Sequence, residues 1–495
     1  MLRVTKQGKD RIAKRSVSYV WFIVLLCALV LASSDSFASQ YSPPGVYDVE
    51  HYVLDNGLRV ILKPRSGSPN IAIRLAVNVG FSDFPCGKQE IPHFLEHLLF
   101  SGTTKHSESE IKDLINDNGG SRNATTAHEE TSYEIDIYSK YAGLALDTLS
   151  EMMTDSTLTV AQVEDSRAIL LREGGGQPSA VRHWLHRNEY IMDAATKAVR
   201  LLAPGNNLFC ADIESAETIT REEIFDVYRR YYVADNMVLI VVGDFEISSI
   251  REKIQQSFGA LSRASLSRPT RHIPGLQHKG GDVTSQFSPI LATDASVQMG
   301  YRSVGTSSED YITLHVLEEY LTNRLFDEVR TRHGLSYSPE AYQVSLNDYG
   351  FFGVSADVNI DDMDKTVDVF KEEINKLIQA PLTQEQVNKT KRSILLQWVQ
   401  GYEANTDLAD YYLGVHRELE DHGELINWEA RVEAVSPEMI HMVAMNYFKP
   451  DKAVIIRESP TMTFTQFIVA ISIITILFLC GILYMVFKHR IYRRG

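Results

Sequence analysis

Only four cysteines occur in 495 residues, and none falls in a Cys-x-x-Cys pair or in the spacing of a disulfide framework. That excludes a cysteine zinc site and a disulfide-built scaffold. Cys27 and Cys480 lie in apolar runs at the two ends, so Cys86 and Cys210 are left to form at most one disulfide. An excess of basic charge is missing as well. Lys and Arg number 49 against 64 Asp and Glu, a formal charge of −15. The basic residues that do cluster sit at the ends, each carrying +4, and taking both ends away leaves the body at −23. Such a body repels nucleic acid and anionic surfaces and attracts cationic peptides over a Debye length, although an acidic surface kept for solubility has the same composition. What is present, 44% hydrophobic and 23% charged residues, is the balance of a globular chain, and the length calls for two domains of roughly 200 residues each.

The two ends read differently. Arg3, Lys6, Lys9, Arg11, Lys14 and Arg15 precede an uncharged run from Val17 to Ala32, and Ser36-Phe37-Ala38 offers small residues where a signal peptidase reads. Residues 1–38 are therefore expected to be a signal peptide, with an uncleaved anchor helix as the other reading. Phe464 to Phe487 is 24 residues without a charge and is followed by Lys488, Arg490, Arg493 and Arg494. At 1.5 Å per residue it crosses a bilayer core of about 30 Å, and the basic tail of 488–495 should stay cytoplasmic. The body then faces the exported side: the periplasm, if 464–487 is a single-pass anchor in a bacterial inner membrane, with a eukaryotic secretory membrane as the alternative.

Within the body, Leu58, Val60 and Leu62 alternate with polar neighbours, and the run Ile71 to Val79 is β-rich. Pro92 opens a helical segment through Phe100. Tyr133 to Tyr138 alternates as a strand, and Leu144 to Met153 has helical spacing. The chain then repeats itself. The segment from Tyr231 to Val242 is echoed by Tyr447 to Ile456, and Tyr133–Met153 by Phe352–Leu377. The expected class is α+β: two homologous domains of β-sheet layered with helices, at 39–262 and 289–460, joined by a linker at 263–288 and followed by the transmembrane helix.

His93-Phe-Leu-Glu96-His97 lies on the first of these helices. Residues four apart share a helix face, so both imidazoles can converge on one ion. Zinc suits two such nitrogens plus a carboxylate, with a fourth position left for water. Glu96 falls on the same face, placed to take a proton as general base when the metal lowers the water's pKa. The pattern is the inverted form of His-Glu-x-x-His. Two histidines on a solvated helix face would read the same.

The run His93 to Thr103 closely resembles the zinc helix of the pitrilysin, insulinase and mitochondrial processing peptidase family, and the likeness extends over residues 48 to 458. Asn118 to Thr125, with Thr131 and Tyr133, is similar to the family's loop and edge strand, on which substrate adds as a further strand. The resemblance implies that Asn123 and Ala124 contact the substrate backbone, although Asn123-Ala124-Thr125 is also a glycosylation sequon. Arg167 to Glu173 is similar to the helix that supplies the third ligand. It implies one zinc per chain on His93, His97 and Glu173, with Glu164 as fallback. In the second half, Leu325 to Tyr337 is similar to the segment whose arginine and tyrosine hold substrate and polarise its carbonyl, here Arg330 and Tyr337; a helix-to-strand turn that merely packs is the plainer reading.

Three departures from the family pattern stand out. The His97–Glu173 separation is about one residue short, Ser166 stands where relatives carry a second glutamate, and Gly174-Gly175-Gly176 follows the ligand directly. The family's fold implies one half of a closed peptide chamber, so a homodimer, or a heterodimer with a related subunit, is expected, with Arg330 and Tyr337 serving the other subunit's zinc. The expected activity is hydrolysis of peptide bonds in short or unfolded polypeptides by a zinc-activated water with Glu96 as base. The rivals are a non-catalytic structural or assembly subunit and an exported peptide-binding protein with a structural zinc.

Overall fold

The computed structural model describes residues 45–174, 180–181, 194–204, 215–264, 266, 278–287 and 293–492. Residues 1–38, Cys210 and Gly175–Gly176 lie outside the described residues. The first half builds a six-stranded sheet from β1 (Glu50–Val53), β2 (Arg59–Pro64), β3 (Asn70–Val77), β4 (Ser121–Thr126), β5 (Thr131–Tyr138) and β6 (Met237–Gly243), in the order β1-β2-β6-β3-β5-β4. The second half builds a five-stranded sheet from β7 (Gly281–Phe287), β8 (Asp294–Val304), β9 (Glu340–Ser345), β10 (Tyr349–Asn359) and β11 (Val454–Pro460), in the order β7-β11-β8-β10-β9.

The two orders are the same path laid twice. β6 runs parallel to β2 and antiparallel to β3, as β11 runs parallel to β7 and antiparallel to β8. The repeat seen in the sequence is thus a repeat of topology. One segment departs from expectation. Gly281–Phe287, assigned to the linker with its Arg-, Ser- and Pro-rich surroundings, is an edge strand of the second sheet. Its ladder with β11 supplies what its composition does not.

Helices cover one face of the first sheet: α1 (Ile91–Phe100), α2 (Glu108–Asn116), α3 (Ala142–Asp155), α4 (Val160–Glu173), α5 (Ala194–Leu202), α6 (Arg221–Tyr231) and α7 (Ile247–Phe258) follow in chain order, with α5 the exception noted below. The core between this layer and the sheet includes Leu58, Ile73, Leu75, Phe94, Leu98, Leu149 and Phe258, all inaccessible to solvent. The second half repeats the arrangement with α8 (Tyr311–Leu325), α9 (Met363–Gln379), α10 (Gln384–Gly401), α11 (Asn405–His422), α12 (Trp428–Ala434) and α13 (Pro437–Tyr447), around a core that includes Leu317, Phe352, Phe370 and Phe448.

Each half lends the other a helix. The outer face of the first sheet (Ile61, Ala72, Ala76, Val238, Ile240, Val242) is covered by Leu408, Ala409 and Tyr412 of α11. The outer face of the second (Val283, Tyr349, Phe351, Val454, Ile456) is covered by Ala198, Val199 and Leu202 of α5. A sheet apolar on both faces needs two covers, and the exchange supplies the second while tying the halves together. A buried arginine reinforces the first exchange: Arg74 on β3, 2% exposed, bonds the more exposed Asp136 of β5 at 2.7 Å and Asp410 of α11 at 2.6 Å. After β11, α14 (Phe464–Tyr492) begins. Its stretch Phe464–Met485 is long and apolar enough to cross a membrane, and none of it is buried among the described residues.

Candidate metal centre

Pro92 sits in the first turn of α1, where its missing N–H costs nothing, and Gly102, with φ of +127°, turns the chain just past the helix end. Between them Phe94, Leu95, Leu98 and Leu99 are fully buried against the sheet, worth about 2 kcal/mol each, and hold the helix in one rotation. That rotation turns His93, Glu96 and His97 to the opposite, half-open face. α4 starts on a capping box of Thr159 and Gln162, and its Val163, Ser166, Leu170 and Leu171 are buried. Arg167 lies over the Phe94 ring at 5.2 Å and donates to the carbonyl oxygens of Ala216 and Ile219. α4 ends at Glu173, with Gly174 closing its last turn through a bond to Leu170 O. Its final carboxylate therefore arrives beside α1.

The convergence is close. Glu173 Oε2 lies 3.4 Å from His93 Nε2 and 3.6 Å from His97 Nε2. Two donors about 2.1 Å from one tetrahedral ion stand roughly 3.4 Å apart, so these three atoms already have the spacing of a zinc ligand set. His97 Nε2 is buried and makes no hydrogen bond among the described residues, which fits an atom that expects a metal. His93, Glu96 and His97 also form a group whose ligand atoms lie within 4.8 Å of one another. Of the two carboxylates, Glu173 lies within 3.6 Å of both Nε2 atoms, and Glu96 accepts the Thr126 hydroxyl on its Oε2 at 2.6 Å. The spacing of His93, His97 and Glu173 fits a zinc ligand set. Glu164 is exposed and paired with Arg167 on α4 itself.

His93 is fixed from two sides: its Nδ1 bonds Glu90 Oε2 at 2.9 Å, and the Phe81 ring meets it edge-on at 6.2 Å. Burial alone would lower this imidazole. The Glu90 hydrogen bond and the charges of Glu90, Glu96 and Glu173 outweigh that and leave its pKa raised. Beneath the site, Tyr133 and Tyr232 are buried and share a hydrogen bond of 2.9 Å; burial raises both phenols, and the Glu96 charge adds to it.

β4 is the edge of the first sheet, bonded to β5 alone. Its side chains alternate. Ala124 and Thr126 turn toward α1 and the core, and Asn123 is exposed on the other face. Arg330 sits in a π-helical segment, Phe326–Arg332, with its guanidinium over the Phe326 ring at 4.5 Å and the Tyr337 ring at 4.1 Å. Among the described residues, no hydrogen bond, ion pair or ring contact joins Arg330 or Tyr337 to the histidines or to Glu173. Glu90 and Thr126 were not found by sequence reasoning. The three-residue step from Glu90 to His93 was a usable signal; the contact of Thr126 depends on sheet pairing and had none.

Among the described residues, the repeated half holds no matching centre. On α8 the run is His315-Val-Leu-Glu318-Glu319, and on α10 the residue fourteen past the capping threonine (383 to 397, as 159 to 173) is Gln397. His315 Nδ1 pairs with Glu318 at 3.2 Å, and Trp398 stacks on its ring. Glu319 accepts from Ser393 at 2.8 Å and Gln397 at 3.4 Å. Position 319 there is a glutamate where the first half has a second imidazole.

Two sheets of one topology, the first bearing an inverted His-x-x-Glu-His helix, define a two-domain metallopeptidase architecture. Residues 59–203 match the family model described as insulinase (peptidase family M16), and residues 218–394 match that of the peptidase M16 inactive domain. The chain belongs to the insulinase-type M16 peptidase family. It is 25% identical over 422 residues to the uncharacterized zinc protease YmxG of Bacillus subtilis, covering 82% of this chain and 97% of the relative. It is also 25% identical over 417 residues to the mitochondrial-processing peptidase subunit beta of Bos taurus, covering 80% and 81%. A protease from Helicobacter pylori shares the fold at a TM-score of 0.71 and 20% identity, over 83% of this chain and 99% of that one.

Proposed function

We propose that this chain is a zinc-dependent endopeptidase acting on short or unfolded polypeptides. The observation that carries the reading is the placement of Glu173 Oε2 at 3.4 and 3.6 Å from the two Nε2 atoms, with Glu96 beside them on the same helix face. Relatives named as zinc proteases support it. A zinc ion held by His93, His97 and Glu173 would polarise the scissile carbonyl and acidify a water at its open position. Glu96 takes the proton of the attacking water on its free oxygen and returns it to the leaving nitrogen, while Thr126 holds the other oxygen in place. The substrate pairs with the open edge of β4, its backbone N–H and C=O groups completing the ladder, with Asn123 adding a side-chain contact. The −23 charge of the body favours cationic segments.

Arg330 and Tyr337, stacked on each other away from this centre, are proposed to serve the site of a second subunit. Relatives that are themselves named as one subunit of a processing peptidase support a paired assembly. For location, Cys86 is disulfide-bonded, which fits an oxidising compartment. With the leader and the exposed apolar helix Phe464–Met485, this supports an exported body on a single-pass anchor, as in a bacterial inner membrane facing the periplasm. The test is chelation: hydrolysis of an unstructured peptide mixture should stop with 1,10-phenanthroline and return when zinc is restored. Hydrolysis indifferent to chelation would refute the metal centre as its source.

A further inference from the structure

Glu90 is the N-cap of α1 and lies one turn before His93. Its Oε2 is 2.9 Å from His93 Nδ1, and its side chain is one-third exposed. An ionised carboxylate is favoured at a helix N-terminus, where the unpaired N–H groups of the first turn make the local potential positive. His93 in turn has two distinct nitrogens, and only one of them, Nε2, faces Glu173 and the open centre. An imidazole can present a lone pair at Nε2 only if its proton sits at Nδ1, and the group that accepts a hydrogen bond there selects that tautomer. His97 has no such partner among the described residues. On the α4 side Ser166 is buried and uncharged, so α4 adds no further carboxylate from that position.

We infer that Glu90 is a positioning residue for the metal centre: it accepts the Nδ1–H of His93, fixes the ring plane together with the edge of Phe81, and makes Nε2 a stronger donor toward the ion. This rests on the zinc reading above. The chemistry is that of a carboxylate behind a metal-bound imidazole, and removing such a partner weakens metal affinity 10- to 100-fold in general. Glutamine at position 90 keeps an oxygen acceptor and loses the charge; alanine loses both. The expected order of zinc affinity is therefore wild type, then Glu90→Gln, then Glu90→Ala.

The experiment is zinc competition against a chromophoric chelator on the full chain in detergent, for wild type, Glu90→Gln and Glu90→Ala. Alongside it, 15N spectra of the imidazoles in the metal-free proteins report the His93 tautomer. Expected are one tight zinc in the wild type, weakening of 10-fold or more in Glu90→Ala, and loss of the Nδ1–H tautomer preference at His93, with unchanged helical signal. A residue that only caps α1 would leave the tautomer untouched. Should alanine prevent folding, the near-isosteric glutamine variant carries the comparison. Equal zinc affinity and an unchanged tautomer in a folded variant would overturn the inference with the metal centre intact. A wild type that binds no zinc would overturn the metal centre itself.

Discussion

At the face of α1, four residues of spacing set two imidazoles side by side, and that much follows from helix geometry alone. Glu173 is 76 residues beyond His97, and its arrival at 3.6 Å depends on the packing of α4, which periodicity alone could not give. Replacing it tests the ligand set: Glu173→Ala should lower zinc affinity by two orders of magnitude or more in equilibrium dialysis, whereas Glu164→Ala should leave it unchanged. Retained tight zinc in Glu173→Ala would remove Glu173 from the ligand set. A second residue-scale expectation concerns pH. Burial pushes Glu418 on α11 up to about 7, against a partial offset from the Ile426 N–H it accepts at 2.7 Å. A carboxyl raised in the folded state binds its proton more tightly there than in the unfolded chain. Its contribution is thus fully present at low pH and is lost as pH rises through about 4.5 to 7. Glu418→Gln should therefore be more stable than wild type at pH 8, by about 1 kcal/mol after allowing for solvent screening, and equal to it at pH 4. Parallel melting curves at both pH values would exclude this cause.

Among the elements, β2 and β5 were visible in alternation, whereas β3 and β6 showed as β-rich hydrophobic runs, because both faces of the first sheet are covered by helices. β7 was not visible: Gly281-Asp-Val-Thr-Ser-Gln-Phe287 carries no apolar run, and only pairing with β11 makes it a strand. The turns that join the hairpins were equally invisible. Gly80, just past β3, lies so close to the β4–β5 turn that a methyl group would come within 2.6 Å of Glu129 N and His128 C, and Phe81 N and Ser82 N bond Ala127 O and His128 O. The second half repeats this at Gly305, against the β9–β10 turn at Leu346 and Asn347. The two turns then meet, Asn347 N donating to Glu129 at 3.0 Å. Since the first turn ends the strand that holds Thr126 against Glu96, Gly80→Ala should destabilise the fold by about 1–3 kcal/mol in urea titration and reduce turnover at full zinc occupancy. An unperturbed urea midpoint would mean that the close approach relaxes without cost.

Across the whole molecule, the exchange of α5 and α11 makes each half complete only in the presence of the other. The internal repeat told of two units; it could not tell that their covers are swapped, since each helix is amphipathic whichever sheet it lies on. The exchange is tied at Arg74, and Arg74→Ala should lower the urea midpoint by an amount equivalent to about 3 kcal/mol, because Asp136 and Asp410 then face each other without the cation; a wild-type midpoint would mean the apolar contacts of α11 suffice. At this scale the central claim is that one intact centre in the first half performs peptide hydrolysis. Its most direct test is digestion of a mixed unfolded-peptide library by the full chain in detergent beside Glu96→Gln, with bound zinc counted in both. One zinc per chain in each, internal cleavage by the wild type, and a loss of 10²-fold or more in the variant is the expected result. Equal cleavage by both would contradict the role of Glu96, and zinc without any cleavage would contradict the endopeptidase reading itself.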